Sequence, residues 1–189
     1  MQLIWHPLVA DDRYVAESAW EGAVLDECPF HPGGGCGARG HGSYARVHPL
    51  GVRVPRFLCP VEGVTFSLLP AFLACRLSAT LDEVESVIDL VEREPSIAAA
   101  AEVARPATDD QAVTSISAAR WVRRRLRPVV AVLLALVTLL PELSGCSPTL
   151  AAIRERLGVT RVLVTLREVA AKHMQALAPP LGLRARAGR

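Results

Sequence analysis

The 189-residue chain carries 21 Lys and Arg against 19 Asp and Glu, a formal net charge of +2 that by itself selects no partner. Half of it is hydrophobic, which excludes a chain too polar to bury a core and is ample for one domain or two small ones. Its five cysteines are odd in number and unevenly spaced, so they form no secreted disulfide framework, and a reducing cytoplasm is the expected location.

The small net charge conceals an uneven distribution. Residues 1–30 sum to about −5, 31–77 to about +4, 78–112 to about −7 and 113–189 to about +10, nearly every base being Arg and Lys172 the sole lysine. The two basic stretches are where an anion would be held. The opening residues have no basic segment before Asp11 and Asp12, so no secretion signal is read. The longest apolar run, 129–140, would span roughly 18 Å as a helix against the ~30 Å of a membrane interior, and it reads as a buried core helix with no membrane partner.

In chain order, a short strand is predicted at 3–5 and a turn or two of helix around 14–20. Next come Cys28-Pro29-Phe30-His31 and the glycine-rich Pro32 to Gly37, then strand candidates at 43–48 and 52–58 joined by Pro49-Leu50-Gly51, then Cys59-Pro60-Val61-Glu62-Gly63. Pro55 predicts that the second strand lies at a sheet edge. Thr80-Leu81-Asp82-Glu83 is a capping box that opens a helix to about residue 94, and Ser96 caps a short Ala-rich helix over 97–104. Residues 105–111 read as a loop.

From Ser115 a longer helix is predicted. It has an apolar stripe of Ile116, Ala119, Val122, Leu126, Val129 and Leu133, and Arg120, Arg123, Arg124 and Arg127 recur on the opposite side. Pro128 should kink this helix or restart it as an all-apolar helix to Leu140 at the centre of a bundle. Ser147-Pro148 caps the next helix, Gly158 ends it, and a last one runs from Thr160 to about Ala178. The organisation predicted is an N-terminal segment with a ribbon-like region over 1–77, a helical domain over 78–178, and a disordered basic tail over 179–189.

Two Cys-Pro turns separated by a hairpin are how a zinc ribbon is built, because each turn offers ligands from one side and the metal joins them. Cys28, Cys36 and Cys59 supply three ligands, and His31, Glu62 or His41 could be the fourth. The competing reading is a metal-free ribbon in which the cysteines act as small hydrophobes. Cys75 and Cys146 lie in apolar surroundings without an activating motif. The run Gly33-Gly34-Gly35 lacks the Lys-Ser/Thr of a phosphate loop, and no paired carboxylates for two-metal catalysis are apparent, so no enzyme is expected. The arginine stripe has no acidic residue within it, so its guanidinium groups repel one another unless an anion is near. With the 97–104 helix before it, the stripe could form the second helix of a helix-turn-helix and bind DNA. A solvated charged face is the competing reading.

Several stretches together carry a resemblance. Cys28-Pro29 to Cys36-Gly37, His41-Gly42-Ser43-Tyr44-Ala45-Arg46, Val54-Pro55-Arg56-Phe57-Leu58-Cys59-Pro60 and Thr65-Phe66-Ser67-Leu68-Leu69-Pro70 resemble the amino-terminal zinc-ribbon region of bacterial insertion-sequence transposases and of short transposase-associated proteins. The resemblance spans about 28–127 and is most specific at 55–70. It implies a ribbon followed by a helix-turn-helix, DNA binding, and ligand roles for Cys28, Cys36 and Cys59. The sequence departs from that pattern at Glu62, where the family has cysteine, and in lacking the catalytic domain of a full transposase. The fold class expected is α+β: a degenerate zinc-ribbon-like hairpin region followed by a helical bundle of five or six helices. The function expected is a non-catalytic, transposase-derived DNA-binding protein. The alternative is a helical interaction module that self-associates as a homo-oligomer, or binds a partner, through the 129–140 helix.

Overall fold

The computed structural model describes residues 1–105 and 115–184, an α+β chain that divides after Leu73 into two units. The first holds strands β1 (Gln2–Trp5), β2 (Arg39–Ala45), β3 (Arg53–Cys59) and β4 (Val64–Pro70), in the sheet order β1-β4-β3-β2. β2, β3 and β4 are antiparallel neighbours, whereas β1 runs parallel to β4 with Leu3 opposite Leu68. The hairpin expected between the two Cys-Pro turns is β2–β3, although its first strand, expected over 43–48, starts at Arg39 and ends at Ala45, and a third strand, β4, returns along β3 from the second turn.

Pro55 does not put β3 at an edge, because β3 lies between β2 and β4. The β3–β4 ladder starts at Arg56 opposite Ser67, one residue past the proline, so the missing amide falls beyond its end. On the other side β2 slips by one residue between Gly40 and Ser43, a bulge that Gly42 permits at φ 75°. One face of the sheet carries Phe57 and Cys59 with Phe66 and Leu68, and the Phe57 and Phe66 rings stack 6.1 Å apart. The helix expected around 14–20 reduces to turns and a 3₁₀ turn at Ala19–Gly22. Tyr14 is buried there between Trp5 and Phe72, and its hydroxyl donates to the Arg53 carbonyl at 2.7 Å.

The second unit holds helices α1 (Leu81–Arg93), α2 (Ile97–Ala104), α3 (Ser115–Leu139), α4 (Leu150–Leu157) and α5 (Val162–Val169). The capping box forms as read: the Glu83 amide donates to the Thr80 hydroxyl at 3.0 Å and the Thr80 amide to the Glu83 carboxylate at 2.6 Å. α1 packs against α2, α3, α4 and α5 and is the centre of this unit, a place expected of the 129–140 segment. That segment is the second half of α3, which runs through Pro128 without a break. It buries Val129, Val132, Leu133 and Leu136 and exposes Val130 and Leu134.

α1 takes its central place through its acidic stripe. Glu92 accepts from the Leu150 and Ala151 amides at 2.7 and 3.0 Å, capping the start of α4. Glu85, only 5% exposed, accepts from the Val162 and Leu163 amides at 3.0 and 2.8 Å, capping the start of α5. Arg154 bridges Glu85 and Asp89, and Arg161 pairs with Asp82 at 2.7 Å. Residues 82, 85, 89 and 92 recur at helical spacing, so one face of α1 supplies negative charge to two helix starts that lack it.

In this unit three boundaries differ from expectation. Thr149, not Ser147, caps α4, its hydroxyl accepting from the Ala152 amide at 3.3 Å. α5 stops at Val169, followed by a 3₁₀ turn at Ala171–His173. Residues 179–184 are not a loose tail: Leu181 is fully buried, and buried Arg167 donates to the Pro180 and Leu181 carbonyls at 2.6 and 3.2 Å. Burial lowers the Arg167 guanidinium to about 10. The predicted loop from residue 106 to 111 and the tail residues 185–189 lie outside the described residues. Among the described residues, no helix is long and apolar enough to cross a membrane.

Candidate metal centre and basic helix face

Residues 24–38, between the 3₁₀ turn and β2, contain no helix and no named strand. Their one ladder contact is the bridge Cys28–His31, closed by the His31 amide donating to the Cys28 carbonyl at 3.0 Å. The tight turn of Cys-Pro-Phe-His sends the His31 ring back over Cys28, while the glycine-rich turn returns the chain so that Cys36 is buried beside it. Gly34 and Gly35 both sit at φ 80°, a conformation that side chains disfavour. Cys59, the last residue of β3, completes the group from the sheet.

The ligand atoms of Cys28, His31, Cys36 and Cys59 all lie within 4.8 Å of one another, and these four residues could hold a metal ion. The His31 Nδ1 is 3.8 Å from the Cys28 sulfur and 3.5 Å from the Cys59 sulfur. A tetrahedral ion with bonds of ~2.3 Å to sulfur and ~2.0 Å to imidazole spaces such atoms by roughly 3.5–3.8 Å. The three cysteines are free, nearly fully buried, and continuous with the core of Phe57, Phe66 and Leu68.

Of the three candidates for fourth ligand, His31 is the one brought into the cluster. Glu62 stands on the far side of the ring, its carboxylate 3.6 Å from His31 Nε2, an ion-pair distance rather than a hydrogen bond. His41 is exposed on β2 and outside the cluster. Burial opposes ionisation of Cys28, yet contacts from the His31 ring, the Phe30 amide, Cys36 and the His31 amide outweigh it and bring the thiol down to about 6. Cys36 moves the other way, raised by burial and by its cysteine neighbours. An ion held by all four residues would have a complete tetrahedral shell of protein donors.

The arginines lie in the other unit. Arg120, Arg123, Arg124 and Arg127 are all exposed on one side of α3, and among the described residues none has a hydrogen bond or ion pair to its side chain. The buried side of the same turns packs Ala118, Ala119 and Val122 on Val87 and Ala101, whereas Ile116, expected in that stripe, is exposed. α2 and α3 pack together, and the connection through 106–114 lies outside the described residues.

Arg125 was passed over by the stripe and does something different. It lies over the Trp121 ring, 3.7 Å from the centroid, with Arg105 at 5.5 Å from the same ring. Its i, i+4 spacing from Trp121 was the available signal. Comparison with known proteins finds no matching family model, no significant match among curated sequences and none among solved structures.

Proposed function

We propose that the protein is a non-catalytic DNA-binding protein in which zinc closes the first unit and α3 offers its arginines to the phosphate backbone. The observation that carries this reading is the exposed set Arg120, Arg123, Arg124 and Arg127, which has no partner among the described residues, in a chain whose acidic α1 is engaged with Arg154, Arg161 and the starts of α4 and α5. Guanidinium groups left without carboxylates have their best partners in phosphate oxygens. The Cys₃His donor set suits zinc in both ligand softness and spacing, and its closed coordination agrees with a structural role. The likeness to transposase ribbon regions points the same way, with His31 in place of the missing fourth cysteine.

Fluorescence anisotropy with a labelled duplex tests the proposal. Four phosphate contacts give a slope of log K against log salt of roughly −3.6, at ~0.9 counterions released per contact. Replacing Arg123 and Arg124 by Ala should reduce that slope by about two units and leave the helical circular dichroism unchanged. Failure of the wild type to bind any duplex at low salt, or an unchanged slope in the double variant, would refute the assignment.

A further inference from the structure

The exposed side of α3 does not end with its arginines. Beyond Arg127 it continues as Val130, Ala131, Leu134, Ala135, Thr138 and Leu139, with Leu134 50% exposed and Val130 and Leu139 38% and 42% exposed. Residues 120, 124, 127, 131, 134 and 138 follow one another at helical spacing, so a basic half and an apolar half share one solvent face. The apolar half has no charge until Glu142, which is exposed in the 3₁₀ turn Pro141–Leu143 that follows. Single exposed apolar residues are ordinary, but a contiguous set on one helix face marks a contact surface.

We infer that this half of α3 pairs with the same half of a second copy of the chain, in antiparallel orientation. The charges choose both occupant and direction. A parallel pair would stack one arginine cluster on the other, and α3 has no acidic residue to separate them. An antiparallel pair about a two-fold axis between Leu134 and Ala135 sets Val130 against Leu139 of the partner subunit and Ala131 against Thr138 of the partner subunit. It also brings Arg127 beside the turn that follows the partner's helix, which carries Glu142 of the partner subunit, so each end of the apolar contact closes near an opposite charge. The small side chains of Ala131 and Ala135 let the helices approach closely. The contact is self-complementary, as a two-fold interface must be. Confined to half a helix, it belongs to the small, transient class below ~1,200 Å², so association is weak and concentration-dependent.

Sedimentation velocity over a concentration series, without DNA, tests the pairing separately from DNA binding. The wild type should shift from monomer toward dimer with rising concentration, and Leu134→Glu should stay monomeric with unchanged circular dichroism, since the side chain is half exposed. Arg127→Glu and Glu142→Arg should each weaken the dimer, and the two together should restore it. A wild type that stays monomeric throughout, a Leu134→Glu variant that still dimerises, or charge reversals without mutual rescue would overturn the inference. If the wild type dimerises but binds no duplex, the DNA reading fails and the pairing stands.

Discussion

Glu85→Ala removes one carboxylate and leaves three donors without it: the Val162 and Leu163 amides and the Arg154 guanidinium. The two amides are buried at the start of α5, and each orphaned donor costs about 1–3 kcal/mol, so together they account for about 3 kcal/mol. Losing the negative charge at that helix start adds about 0.5 kcal/mol. Arg154 is a third exposed and keeps Asp89, so its share is discounted to a few tenths. The expected loss is therefore about 3–4 kcal/mol. Glu85→Gln, which keeps one carbonyl acceptor, should cost about half as much, and Arg154→Met about 1 kcal/mol or less. Urea unfolding followed at 222 nm reports this unit selectively, because the first unit contains no α-helix. With a urea m-value of ~1–3 kcal/mol/M, the Ala variant should unfold about 2 M earlier. A loss below about 1 kcal/mol for Glu85→Ala would show that the acidic stripe of α1 is not what fixes α5.

Purified protein should contain about one equivalent of zinc by elemental analysis, and Cys59→Ala should lose it, since four donors must converge for the ion to be held. Glu62→Gln should lower zinc affinity about tenfold in competition with a chromophoric chelator, because Glu62 faces the ring nitrogen opposite the cluster, while unchanged affinity would remove it from the site. In metal-free protein, thiolate absorbance at 240 nm should include a component titrating near pH 6 that is absent from Cys28→Ser. Because folding lowers this thiol from its usual value near 9, the stability it contributes to the metal-free fold is complete above pH 9 and lost as pH falls toward 6. Arg167→Met should free residues 179–184, seen as faster hydrogen exchange at the Cys75 and Leu183 amides, which donate to Pro180 and Met174; unchanged exchange would show that Leu181 burial alone holds the segment.

What could be read from the sequence was local. The Thr80 box, the Ser96 cap, the Gly158 stop and the Cys-Pro turns each declare themselves within a few residues, and each forms as read. What depended on distant partners was not legible. Pro55 forbids an amide bond on one side at one point only, and whether a strand is interior depends on where the neighbouring ladder begins. The pairing of β1 with β4 joins residues some 65 positions apart with no turn between them to announce it. Likewise Glu85 and Glu92 looked like an ordinary acidic face, because nothing in α1 reveals that helix starts at 150 and 162 come to meet them. The metal site was legible in its cysteines but ambiguous in its fourth member, since His31, His41 and Glu62 differ only in where the backbone carries them.

The stretch 24–38 bears three of the four donors yet contributes no strand to the sheet, so little but the cluster and the core beneath it opposes its freedom. Ordering a backbone residue costs about 1–2 kcal/mol, and a segment with few ladder bonds repays that cost only through what its side chains reach. Emptying or oxidising the cluster should therefore make this segment the easiest part of the unit to open, with β2, β3 and β4 still paired. Cleavage there by a protease of broad specificity would then measure the occupancy of the centre in a cell extract, at a free energy well below that of unfolding the whole unit.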